Sequence, residues 1–183
     1  MQEFKLIDPV TYPPPKEGPT DPAVIKMFGG RGPIFEGSTV EKMVADMDET
    51  SIETAIITAA PASSSAGRYN VGQRIDDRAF DAACREVADI IARYPGRFYG
   101  CAAIDPTGMM KAVRQLERAI RDYGFVGCFM LPGAIGLPHN HPCYFPIYAK
   151  CVELNVPVRM NVGLPGFQAH AWCRTRSIWT RSF

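Results

Sequence analysis

Two histidines one residue apart, His139 and His141 either side of Asn140, form the only close histidine pair in the chain. Imidazole titrates near neutral pH, so the pair can serve as general acid or base, or offer nitrogen to a metal ion. It sits at the end of a Gly- and Pro-rich stretch, 132–140, where two ligands on a loop make a poor metal cage. Asn140 or His141 can equally cap a helix opening at Pro142. Arg159 and Asn161 are the second candidates, two apart in the apolar run Val156 to Val162. A strand turns both side chains to one side. Facing inward, Arg159 can grip a carboxylate through two hydrogen bonds; the alternatives are an internal ion pair or a guanidinium at the strand's lip. Asp8 and Asp105 end apolar runs. Asp105 precedes Pro106 and suits a helix N-cap, whereas Asp8 has no evident capping duty and stays a candidate site carboxylate.

The elements that must position these residues alternate. Lys5 to Asp8 is a short strand ended by Pro9, and Pro13 to Pro15 cannot extend it. A Gly/Pro-rich loop follows through about Ile34. Ser38 and Glu41 form a capping box for a helix with an apolar stripe of Val40, Met43, Val44 and Met47. Ile52 to Ala59 is a β-branched strand fit for burial on both faces. Residues 60–74 are a small-residue loop, mobile by composition, in which Arg68, Tyr69 and Asn70 can close over a ligand as a lid. A helix from about Asp77 to Tyr94 buries Phe80, Ala83, Val87 and Ile90/Ile91 and stops at Pro95-Gly96.

Arg97 to Ile104 is the next strand, and Asp105-Pro106 opens a helix carrying Met110, Val113, Leu116 and Ile120. Gly124 stands where a left-handed residue closes that helix. Phe125 to Leu131 is a strand, 132–140 a loop, about Pro142 to Leu154 a helix, and Val156 to Val162 the last strand. Five short apolar strands alternating with four helices predict a parallel sheet covered by helices. A closed eight-stranded barrel takes about 250 residues, so this pattern is an α/β fold: a partial (β/α)8 barrel or a small open sheet.

Composition excludes several partners. The 183 residues carry a net charge of +1, which gives no one-signed field for nucleic acid or an anionic membrane surface. No apolar run reaches a membrane span and the start has no signal-peptide pattern, so the expected location is the cytoplasm. The six cysteines, Cys84, Cys101, Cys128, Cys143, Cys151 and Cys173, contain no CxxC pair. They read as buried reduced thiols.

An ordered series of motifs decides between barrel and open sheet. Leu6-Ile7-Asp8 with Pro13, the segment Met43 to Asp48 followed by Ile52 and Ala55-Ile56, and Tyr94 to Gly100 followed by Ala102 to Pro106 come first. Gly124 to Gly127, Tyr144 to Ala149 and Val156 to Val158 complete it. Together the run resembles the amidohydrolase-related family that includes aminocarboxymuconate-semialdehyde decarboxylase and the resorcylate decarboxylases, over roughly residues 5 to 165. The resemblance implies a (β/α)8 barrel and a hydrolase or carbon–carbon lyase acting on a small carboxylated, aromatic-derived substrate. It also implies a divalent metal, usually zinc or manganese, held by a His-x-His pair ending the first strand and a histidine ending the fifth. Here those positions fall at Val10, Tyr12 and Asn161. Valine cannot bind a metal, a phenol is a poor ligand near neutral pH, and asparagine is a weak oxygen donor. No metal or other cofactor is therefore expected.

Beyond Gly166 the apolar period is lost, and Arg174 to Phe183 holds three arginines in ten residues. Residues 1–166 read as the first part of the barrel and 167–183 as an aberrant tail, of the kind a shifted reading frame produces. A truncated barrel leaves strand edges open, which favours a homo-oligomer or aggregation. Three readings follow: a family member impaired by truncation and inactive on its own, a non-catalytic fragment, or a small α/β binding protein.

Overall fold

The computed structural model describes residues 6–14, 37–61 and 76–160. The strands are β1 (Leu6–Thr11), β2 (Ile52–Ala59), β3 (Phe98–Ala103), β4 (Gly127–Met130) and β5 (Val158–Met160). The helices are α1 (Val40–Glu49), α2 (Asp77–Arg93), α3 (Met110–Arg121), the single-turn α4 (Pro132–Ile135) and α5 (Phe145–Glu153). All strand pairs are parallel and the sheet order is β1-β2-β3-β4-β5. Sequential parallel order, with α1, α2, α3 and α5 as crossovers, is half of a (β/α)8 barrel.

Capping sets the helix starts. Thr39, not Ser38, caps α1: its Oγ1 accepts from the Lys42 N–H at 3.2 Å. Glu41 stays with the cap through Thr39 and also accepts from the Tyr94 hydroxyl at 3.3 Å and pairs with Arg93 at 3.5 Å, which ties α1 to the end of α2. Asp76 caps α2, accepting from Ala79 N–H at 2.7 Å. Asp105 does cap, but only the 3-10 turn Pro106–Gly108. Met109 then takes φ 50°, uncommon for a non-glycine residue, and α3 begins after it. The single helix expected from Asp105 is thus broken in two.

Pro9 does not end the first strand. β1 runs on to Thr11, with its register shifted between Asp8 and Thr11. Proline costs little there because β1 pairs with β2 on one side only among the described residues, so its missing donor breaks no ladder. The loop expected over 132–140 contains α4.

The two sheet faces differ. Ala55, Ile57, Ala59, Ala102, Ile104, Cys128 and Met130 pack beneath the helices against Phe80, Val87, Leu116, Tyr144 and Ile147, all buried. Each large apolar side chain buried here contributes about 1.5–3 kcal/mol relative to exposure. The inner face carries a smaller cluster of Cys101, Ala103 and Phe129, flanked by Ile56, Ala60 and Leu131. The five described cysteines are buried and free.

Candidate active site

Each strand, or the residue just past it, places one side chain in an inner-face constellation: Tyr12, Thr58, Cys101, Phe129 and Arg159. Parallel register explains the grouping. Thr58 pairs with Cys101, Ala103 with Phe129, and Phe129 with Arg159, and register partners share a face. Thr11 stands opposite Ile57 of the helix-side core. Alternation therefore turns Val10 and Tyr12 inward.

Arg159 is the hub. Its guanidinium carbon lies 4.5 Å from the centroid of the Phe129 ring. One terminal nitrogen donates to the Pro9 carbonyl and the other to Thr58 Oγ1. Its Nε is buried and finds no hydrogen-bond partner among the described residues. The Tyr12 ring meets Phe129 edge-on, with centroids 6.4 Å apart at 78°. Burial raises the Tyr12 pKa; Arg159 pulls it back and Cys101 adds to the rise. The phenol is therefore a neutral donor at physiological pH. Burial also pushes the Cys101 thiol up to about 11 against the pull of Arg159, so it is no nucleophile near neutrality.

The other candidates from sequence lie apart. Asp8 has a local duty after all: its Oδ1 accepts from the Val10 N–H at 2.9 Å, a turn across Pro9. His141 Nδ1 accepts from the Cys143 N–H at 3.3 Å and caps the 3-10 turn Pro142–Tyr144. The His139 carbonyl accepts from the Tyr148 hydroxyl at 2.6 Å. Asn161, the stretch Arg68 to Asn70 and the tail 167–183 lie outside the described residues. Thr58 and Phe129 were missed by sequence reasoning. A hydroxyl near the C-terminal end of the apolar run Ile52–Ala59 was the available signal for Thr58.

Residues 35–178 match the family model described as Amidohydrolase. The chain belongs to the amidohydrolase family. It is 30% identical over 145 residues to gamma-resorcylate decarboxylase of Polaromonas sp. (strain JS666), covering 72% of this chain and 43% of that one. It is also 30% identical over 89 residues to 2-keto-4-carboxy-3-hexenedioate hydratase of Sphingobium sp., covering 44% of this chain and 26% of the relative. Among solved structures, a dihydroxybenzoic acid decarboxylase from Polaromonas sp. JS666 with bound manganese and 2-nitroresorcinol superposes with a TM-score of 0.57. It is 26% identical, over 89% of this chain and 51% of that one. A 2,6-dihydroxybenzoate decarboxylase complexed with 2,6-dihydroxybenzoate shares the fold at a TM-score of 0.61 and 22% identity, over 91% and 52% of the two chains. The chain thus spans less than half the length of these curated relatives and about half of the solved ones.

The donors described here do not suit manganese. Val10 has none, the Tyr12 phenol is held protonated, and a guanidinium lies on the same face, where it would repel a divalent cation. No group of three or more His, Cys, Asp or Glu able to hold a metal occurs among the described residues. Nor is any described helix long and apolar enough to cross a membrane.

Proposed function

We propose that this amidohydrolase-family chain carries the first half of a site for a small aromatic carboxylate, and that the complete site is a carbon–carbon lyase or hydrolase. The carrying observation is the Arg159 guanidinium held over the Phe129 ring on the inner face, with the Tyr12 ring edge-on to the same Phe129. A cation for the carboxylate, ring faces for the aromatic body and a protonated phenol at its edge fit that substrate class. Similarity to resorcylate and dihydroxybenzoate decarboxylases supports the same class.

Decarboxylation of such an acid needs a proton delivered to the ring carbon as its bond to the carboxyl carbon breaks and carbon dioxide leaves. His139 and His141 stand on the loop after β4, at the end of the sheet where such barrels do their chemistry, and remain the candidate acid and base; Asp8, through its turn, and Asn161 are the further candidates. In the described chain His141 can act only through Nε2, because Nδ1 is committed to its cap. Groups from beyond the fifth strand are needed to complete the site, so the isolated chain binds without turnover.

Calorimetric titration of the whole chain with 2,6-dihydroxybenzoate, with product analysis for resorcinol, tests this. Saturable one-to-one binding without release of carbon dioxide is expected. Absence of saturable binding into the millimolar range would overturn the substrate class. Sustained turnover would overturn the incompleteness of the site. A second reading, a non-catalytic binding role, is supported by one feature, the apolar Val10 at an inward position where the family resemblance places a ligand.

A further inference from the structure

We infer that Arg159 takes over, in this chain, the electrostatic part that a divalent metal plays in its relatives, and that it binds the substrate carboxylate directly. The inference rests on the substrate class proposed above and assigns the group that recognises it.

The surroundings of the guanidinium argue for an anion. Arg97, Arg118 and Arg121 each have a carboxylate partner, Asp48 at 2.7 Å, Asp81 at 2.9 Å and Glu117 at 3.0 Å. Arg159 has none among the described residues. Its acceptors are a carbonyl and a hydroxyl, both neutral, and a ring face lies beneath it. A half-buried cation without a counter-ion is costly to keep, and an arriving carboxylate relieves that cost.

The donor count allows it. Guanidinium has five N–H groups, and only two are used by Pro9 and Thr58. These two bonds leave one N–H on each terminal nitrogen for a carboxylate; the Nε–H, also without a partner among the described residues, is buried. A carboxylate held along one edge takes two parallel hydrogen bonds. Phe129 and Thr58 fix the plane of the group, so little freedom is lost on binding.

The placement completes the case. Tyr12, where the family resemblance puts a metal ligand, lies against the same Phe129 ring. A guanidinium offers the same sign of charge on that face, with a permanent proton and no coordination sphere. It can hold a carboxylate and orient the ring, but it cannot polarise through coordination or activate water.

The test titrates the whole chain, in chelator, with 2,6-dihydroxybenzoate and with its neutral amide counterpart, 2,6-dihydroxybenzamide. Wild-type protein should bind the acid about tenfold or more tightly than the amide, consistent with a charge-assisted pair. Arg159→Met should lower affinity for the acid to that for the amide, and Arg159→Lys should restore part of the preference through its point charge. Unchanged binding of the acid by Arg159→Met, with native circular dichroism, would overturn the assignment while leaving the substrate class standing. Should Arg159→Met not fold, equal binding of acid and amide by the wild type overturns it equally well. Failure of the wild type to bind either compound would remove the substrate class itself.

Discussion

Arg159 and Phe129 are register partners on adjacent strands, and the guanidinium of one lies over the ring of the other at 4.5 Å. This pairing is energetic as well as geometric. A double-mutant cycle of Arg159→Met and Phe129→Leu, measured by urea denaturation, should give a coupling of about 0.5–2 kcal/mol. Leucine keeps the apolar bulk and removes the π face. A coupling indistinguishable from zero would mean that the two residues merely share a surface.

Gly100 admits no side chain. A Cβ built there would lie 2.2 Å from Phe125 Cδ1, so the ring that begins the approach to β4 rests directly on the β3 backbone. Gly100→Ala should destabilise the chain by about 1–3 kcal/mol through overpacking. Adding Phe125→Leu should recover part of the loss. A melting curve for Gly100→Ala that overlays the wild type would refute the contact.

Alternation of apolar strands with amphipathic helices was enough to read a helix-covered parallel sheet, because each strand in such a sheet is a compact apolar run; the family resemblance, not the alternation, chose a partial barrel over an open sheet. Local chemistry was less legible. The cap on α1 slipped by one residue because Ser38 and Thr39 are both competent, and only geometry chooses. Pro9 was read as a stop because a sequence does not show that its strand lies at an edge. Arg159 was visible as a charge within an apolar run, and period two put it on one side with Asn161. Which side is decided only by register with Phe129, which places it on the inner face. Its partners Pro9, Thr58 and Phe129 lie 30 to 150 residues away in sequence, and no local pattern connects them. His141 was open between acid–base work and capping; the cap is what the structure places, and catalysis awaits measurement.

Burial makes Cys84 and Cys101 unreactive. The folded pKa of Cys101 is raised to about 11 and that of Cys84 to about 12, burial being the main cause in each. The unfolded value is about 8.5. Both groups therefore add stability that is full below about pH 8.5 and is lost as pH rises through their folded values. Iodoacetamide at about pH 8 should leave Cys84 and Cys101 unlabelled in native protein and label both in urea. Rapid native labelling of Cys101 would contradict its burial on the inner face.

The open edges should promote association. Among the described residues β1 and β5 each pair on one side only, and Leu6, Ile7 and Val10 are exposed, Ile7 by 62%. Light scattering after size exclusion should show dimers or larger species, and a hydrophobic dye should bind. A monodisperse monomer that leaves the dye dark would contradict this.

Metal content bears most directly on the replacement of a metal by Arg159. The chain should be produced in medium supplemented with manganese and zinc, then examined by elemental analysis and by 2,6-dihydroxybenzoate titration before and after chelation. The predicted result is well below about one metal per folded chain and an affinity that chelation leaves unchanged. About one manganese or zinc per chain, with binding lost on chelation and regained on adding the ion back, would contradict it.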